Sequence, residues 1–154
     1  MTILKIVLFL IVFVVCAVSF TLFINQANMF DAPGFSKRLS VFFTSNMAAT
    51  AENHKFKELN TPVFQESAEQ LFKHVLLAAS ELGWDIVSHD SDNLNVNIIV
   101  RTRMFLFEDD VFVHVKYLDE NKSSLYIESK SRTGKADLAA NSGHIQALIN
   151  KLKK

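Results

Sequence analysis

Residues 3–24 read ILKIVLFLIVFVVCAVSFTLFI, an almost unbroken apolar run in which Lys5 is the one charge. No other feature limits this chain so strongly. A helix of that length crosses roughly 30 Å of hydrocarbon. A lone segment in lipid also has to satisfy its own backbone hydrogen bonds, which only a helix does. Lys5 lies near the end, where its ammonium snorkels to the interface. The sequence thus predicts one transmembrane helix within an anchor of residues 1–27, meeting the lipid bilayer through residues 3–24. Ala17-Val18-Ser19 has the small residues a signal peptidase cuts after. The apolar run continues past it through Phe20-Thr21-Leu22-Phe23-Ile24, which predicts that the helix is retained. Cys16 is the one cysteine. Phe13-Val14-Val15 ahead of it lack the small residues of lipoprotein processing, and a single thiol excludes an internal disulfide or a cysteine-rich metal site. The short basic tail before the helix favours an inside N-terminus, although Lys37 and Arg38 follow on the other side. For a bacterium this predicts a single-pass protein of the cell inner membrane with a periplasmic C-terminal domain.

The remainder of the 154 residues is enough for one small domain with a modest core. Sixteen basic and 16 acidic residues give a net charge of +0, which argues against nucleic acid as a partner. Residues 28–60 read as a juxtamembrane segment and extended loop. Pro33-Gly34 marks a turn. Phe35, Leu39, Phe42 and Phe43 then share a helical face, suited equally to the lipid interface or to packing on the domain, with Lys37 and Arg38 elsewhere. Residues 61–154 form the domain.

Within the domain, Phe64, Ala68, Leu71, Val75, Ala78, Ala79 and Leu82 recur at helical spacing, ending at Gly83. Trp84–Ser88 reads as a strand. Leu94–Arg101 and the run from Val111 to Tyr117 alternate apolar and polar residues, as half-buried strands do. Asp119-Glu120-Asn121-Lys122 is a hairpin turn, and Leu125–Ser129 is a fourth strand. Leu138, Ile145, Leu148, Ile149 and Leu152 line a last helix, in which Gly143 costs about 1 kcal/mol relative to alanine and permits a close approach by a strand or the long loop. The predicted fold class is α+β: a four-stranded antiparallel meander flanked by two helices on one sheet face, preceded by the transmembrane helix.

The richest chemistry lies between Phe105 and His144. Asp109 and Asp110 stand before the strand at Val111. Arg132 stands in the turn before Asp137. Pairing the third and fourth strands as a hairpin brings these ends together, so a forked bond from Arg132 to Asp109 or Asp110 is expected to stabilise the fold. Gly134 allows positive φ in the turn, and Asp137 can cap the last helix. Asn141 and His144 share a broad face of that helix.

Phe107-Glu108-Asp109-Asp110-Val111, with Ser131-Arg132-Thr133-Gly134-Lys135-Ala136-Asp137-Leu138 and Asn141, resembles domain-of-unknown-function family 1499. The resemblance spans about residues 44–152. It includes Thr44-Ser45-Asn46 and His54-Lys55-Phe56, where the family has an Asn-containing loop and a histidine. Lys130 and His144 depart from positions where members often carry arginine, and the loop cysteines of many members are missing. The resemblance implies a membrane-associated bacterial domain and no established reaction.

No catalytic residue, metal ligand or cofactor is assigned. Asp109, Asp110, Arg132, Gly134, Asp137, Asn141 and His144 form a structural or ligand site. The expected role is a non-catalytic accessory or binding module with a membrane-protein partner. The alternative is a periplasmic metal- or small-ligand-binding protein, or a hydrolase. It would use Asp109, Asp110 and Asp137 as oxygen ligands, or pair carboxylates with His114 or His144.

Overall fold

The computed structural model describes residues 2–102 and 107–154. Met1 and Phe105, which open the anchor and the charged stretch, lie outside the described residues. Helix α1 covers Thr2–Ile24 in 23 residues, a rise of about 35 Å and long enough to span a membrane. Most of its side chains are exposed, as an apolar helix made for lipid would be. Its last turns differ: Leu22 is buried and Val18 packs against the core of the domain.

Helix α2 (Phe35–Thr44) follows. The segment read as an extended loop contains ordered elements. These are strand β1 (Met47–Ala49) and a 3-10 turn at Lys57–Leu59; strand β2 (Val63–Phe64) follows at the start of the domain. Short edge strands have too few residues to show alternation, so periodicity does not reveal them. Helix α3 spans Ala68–Glu81 and starts later than its apolar spacing suggested. Ser67 caps it, accepting a bond from the Gln70 N–H at 3.3 Å. Phe64 instead pairs with Ser123 in the sheet. Gly83, at φ 73°, ends the helix in a left-handed turn.

Strands β3 (Asp85–Asp90), β4 (Asn95–Arg101), β5 (Glu108–Asp119) and β6 (Lys122–Ser131) form the expected antiparallel meander. The sheet is larger than four strands. Its order is β1-β6-β5-β4-β3, and β2 also pairs with β6. Thr50 carries the edge between β1 and β2: its N–H donates to Ile127 O, and its Oγ1 accepts from Ile127 N. Trp84 lies outside β3. β5 begins at Glu108, so both aspartates are strand residues rather than residues before one.

Val96, Ile98 and Val100 of β4, Val111, Val113 and Val115 of β5, and Leu125 and Ile127 of β6 are buried on one face. Helices α3 and α4 (Ala140–Leu152) cover that face and touch each other. The opposite face carries Asn97, Ile99, Phe112, His114 and Tyr126, and among the described residues no helix lies over it.

Helix α4 begins three residues beyond Asp137. Leu138 and Ala139 intervene at φ 49° and 69°, a left-handed conformation unfavourable for both. The Leu138 N–H bonds to Phe42 O, and Leu138 O accepts from Asn25 Nδ2 at 2.9 Å. This strained turn thus joins the domain to α2 and to the end of the anchor.

The close approach at Gly143 is made by Asn25 at the end of α1 and not by a strand or the long loop. A Cβ on Gly143 would lie 3.0 Å from the Asn25 carbonyl oxygen. Gly143→Val is therefore expected to lose about 1–3 kcal/mol, as overpacked contacts do. It should also open residues 25–34 to protease. An unchanged urea midpoint and cleavage pattern would show that this contact is not tight in solution.

Candidate functional site

The pleat of β5 separates the two adjacent aspartates. Side chains alternate faces along a strand, so Asp109 shares the covered face with Val111, and Asp110 shares the open face with Phe112. Asp109 is 1% exposed. His144 of α4 reaches it, with Nε2 2.9 Å from Asp109 Oδ2. The Trp84 ring stands edge-on to the imidazole at 6.0 Å, which helps to enclose the pair.

Beside it, Asn141 is fully buried and acts as a hub. Its Oδ1 accepts from Ser129 Oγ at 2.6 Å. Its Nδ2 lies within bonding distance of Asp137 Oδ2 (2.7 Å), Asn46 O (2.8 Å) and Ser131 Oγ (3.0 Å). Asp137 accepts further bonds from the N–H groups of Ala139 at 2.9 Å and Asn141 at 3.1 Å. It thus caps the start of α4 across the strained turn. Burial pushes the Asp137 carboxyl above its ordinary range. Hydrogen bonds from Asn141 and from the backbone pull it down, and the Asp109 charge pushes it up again. Gly134 has φ 85°, and its carbonyl accepts from Asn46 Nδ2 at 2.9 Å. The turn of residues 131–137 is therefore tied to the segment after α2.

Arg132 lies on the other face. Its Nε is 3.0 Å from both Asp110 oxygens, its Nη2 is 2.6 Å from Oδ1, and its Nη1 donates to Glu108. Glu108 also accepts from Arg101, which bonds to Asp85. The result is a charged ladder across β3, β4 and β5 to Arg132 just beyond β6. The Arg132 hydrogen bond holds the Asp110 carboxyl below its ordinary range, against an opposing effect of burial. The ladder is exposed, with 41% and 56% of the Arg132 and Asp110 side chains accessible. The stabilising knot expected around Arg132 therefore lacks the burial that makes loss of a partner costly. Arg132→Ala is expected to leave the urea midpoint nearly unchanged, with any small loss fading in salt. A large, salt-independent fall would contradict this.

The site residues thus divide into two groups. Asp109, Asp137, Asn141 and His144 are gathered under α4, whereas Asp110 and Arg132 are outside. Asp109 and Asp110 do not face one another as two ligands of one ion would. Among the described residues, no group of three or more His, Cys, Asp or Glu side chains is placed to hold a metal ion.

Arg38 is the residue that sequence reasoning missed. It is fully buried. Its Nη1 and Nη2 donate to Glu58 Oε1 and Oε2 at 2.5 and 3.0 Å. Nη2 also donates to Ala32 O at 2.7 Å, and Nε lies 3.1 Å from the Asp31 and Ala32 carbonyls. The guanidinium carbon stands 4.3 Å from the centre of the Phe56 ring. One side chain therefore joins the anchor's exit loop, α2 and the domain. The signal was its spacing: Arg38 is one helical turn before Phe42, which is buried against Phe56. Beside it, an open groove of about 380 Å³ is lined mainly by apolar residues, including Phe42 of α2, Met47 of β1, and Phe56 and Leu59, with His54 and Asp137 among its ionisable groups.

The family model described as "Protein of unknown function (DUF1499)" matches residues 33–152. The match takes in α2 and Arg38 and leaves α1 outside. No curated protein matches the chain.

Proposed function

The chain belongs to the DUF1499 family, and we propose that it is a membrane-anchored, non-catalytic accessory or binding module of a membrane-associated assembly. One observation carries this reading: the exit of the apolar helix is built into the domain rather than tethered to it. Leu22 is buried, Asn25 Nδ2 bonds to Leu138 O, and Arg38 clamps the loop between α1 and α2. An anchor serving only to hold an enzyme near a membrane gains nothing from such a joint. A module presenting a surface to a membrane-protein partner gains a set orientation, because less freedom is lost on binding. The open sheet face with Phe112, Tyr126 and Asn97 is the surface available for that partner. The inner membrane is the site of action, with the domain in the periplasm. Lys5, in the first turn of α1, supports this orientation.

The buried groups also support a structural role. Asp109, Asp137 and Asn141 have their hydrogen bonds within the fold. The groove beside α2 leaves room for a small ligand.

Extraction of the full-length protein in mild detergent tests the reading. It should co-purify with one membrane protein at constant ratio. Substitutions on the open sheet face, such as Phe112→Glu, should release that partner while leaving the fold intact. A solitary monomer with no crosslinkable partner across several mild detergents would sink the proposal.

A further inference from the structure

Phe30 is 88% exposed and Phe35 48% exposed, yet their rings stack on each other at 5.9 Å. They stand at the exit of α1. The Ala27 N–H returns to Leu22 O, the Asp31 N–H to Asn28 O and the Gly34 N–H to Asp31 O, so the loop stays folded at the helix end. Arg38 bonds to the carbonyls of Asp31 and Ala32 and keeps this loop in place. Phe20, Phe23 and Ile24 on the last turns of α1 are exposed too. On the other side of these turns, Val18 and Leu22 already touch the domain. The part of α1 before that contact, residues 2–17, rises only about 24 Å. That falls short of the roughly 30 Å of a bilayer's hydrocarbon, so a spanning helix draws the base of the domain into the headgroup boundary.

We propose that the base of the domain is seated in the interfacial layer of the bilayer that α1 crosses, with the Phe30–Phe35 stack inserted among the lipids. The occupant is lipid because the stack stands at the exit of a helix whose last apolar side chains, Phe20, Phe23 and Ile24, are exposed beside it, and because α1 short of the domain is too short to span the hydrocarbon alone. Exposed Lys37 on α2 supplies a cation for the headgroups. Apolar side chains of such an amphipathic segment enter the boundary by about 5–10 Å. The inference rests on α1 being a retained anchor.

Full-length Phe30→Trp and Phe35→Trp proteins test it after reconstitution into phosphatidylcholine–phosphatidylglycerol vesicles whose acyl chains carry bromine at shallow or deep positions. The signal of Trp84 is subtracted using the parent protein. Tyr117→Trp serves as a distant control, since β6 rises about 26 Å between its partner Ser123 and Ser131, which bonds to Asn141 at the end of α4 that meets Asn25. The tryptophans at 30 and 35 are expected to emit further to the blue and to lose emission most with the shallow bromine, while that at 117 is unaffected. Unquenched emission at 30 and 35 in protein that floats with the vesicles would overturn the seating and leave the anchor intact. A blue shift without quenching by lipid would overturn it in favour of a protein covering the rings. Release of the protein from the vesicles by alkaline carbonate would remove the anchor reading and this inference together.

Discussion

Replacing His144 with alanine is expected to destabilise the domain by about 3–5 kcal/mol, the range for leaving a buried carboxylate without the group that bonds to it. Asp109 is 1% exposed and its Oδ2 meets His144 Nε2 at 2.9 Å. Removing the imidazole strands the carboxylate between β5 and α4 and withdraws support from the edge of Trp84. Urea unfolding of the detergent-solubilised protein, followed by circular dichroism, should show a lower midpoint with an unchanged slope. His144→Gln, which keeps an N–H donor, should fall between the parent and the alanine variant. Replacing both partners with leucine should recover much of the loss, because no buried charge is then left behind. Equal midpoints for parent and His144→Ala would show that the pair carries no stability.

Arg38→Ala is expected to have a comparable effect, about 3–5 kcal/mol, and one that reaches the anchor. Arg38 and Glu58 have side chains 0% and 10% exposed. The variant would leave the carboxylate and the Ala32 carbonyl short of their donors. Arg38→Lys should rescue little, since an ammonium cannot reproduce the planar fork. The pH dependence gives a second readout. Burial pushes the Glu58 carboxyl up, but the Arg38 hydrogen bond, a backbone hydrogen bond and nearby positive charge outweigh it and hold it below its ordinary value. Its contribution is therefore complete above the unfolded value, about 4.3 for a glutamate, and is lost as pH falls through the lower folded value. Asp137 has the opposite sign. Its raised carboxyl costs stability above its folded value and is relieved as pH falls through it. In Arg38→Ala the loss on acidification assigned to Glu58 should shrink, while the Asp137 behaviour persists. An acid profile parallel to that of the parent would rule out the Arg38–Glu58 contribution.

The meander was legible because β4, β5 and β6 each bury one face, and burial on one face writes a period of two into the sequence. The apolar run of α1 was legible for a simpler reason: its composition alone suits a membrane-spanning helix. The same pleat already separated Asp109 from Asp110. Once Val111, Val113 and Val115 face the core, Asp109 faces it with them. β1 and β2 are too short to carry a period and exist only because β6 has an edge to pair. The Arg38–Glu58 clamp, the Asp109–His144 pair and the fit of Gly143 against Asn25 join residues distant along the chain. Local pattern reports which face a residue takes. Which partner it meets across that face depends on how the helices and the anchor's end settle on the sheet, and only the packed chain decides that.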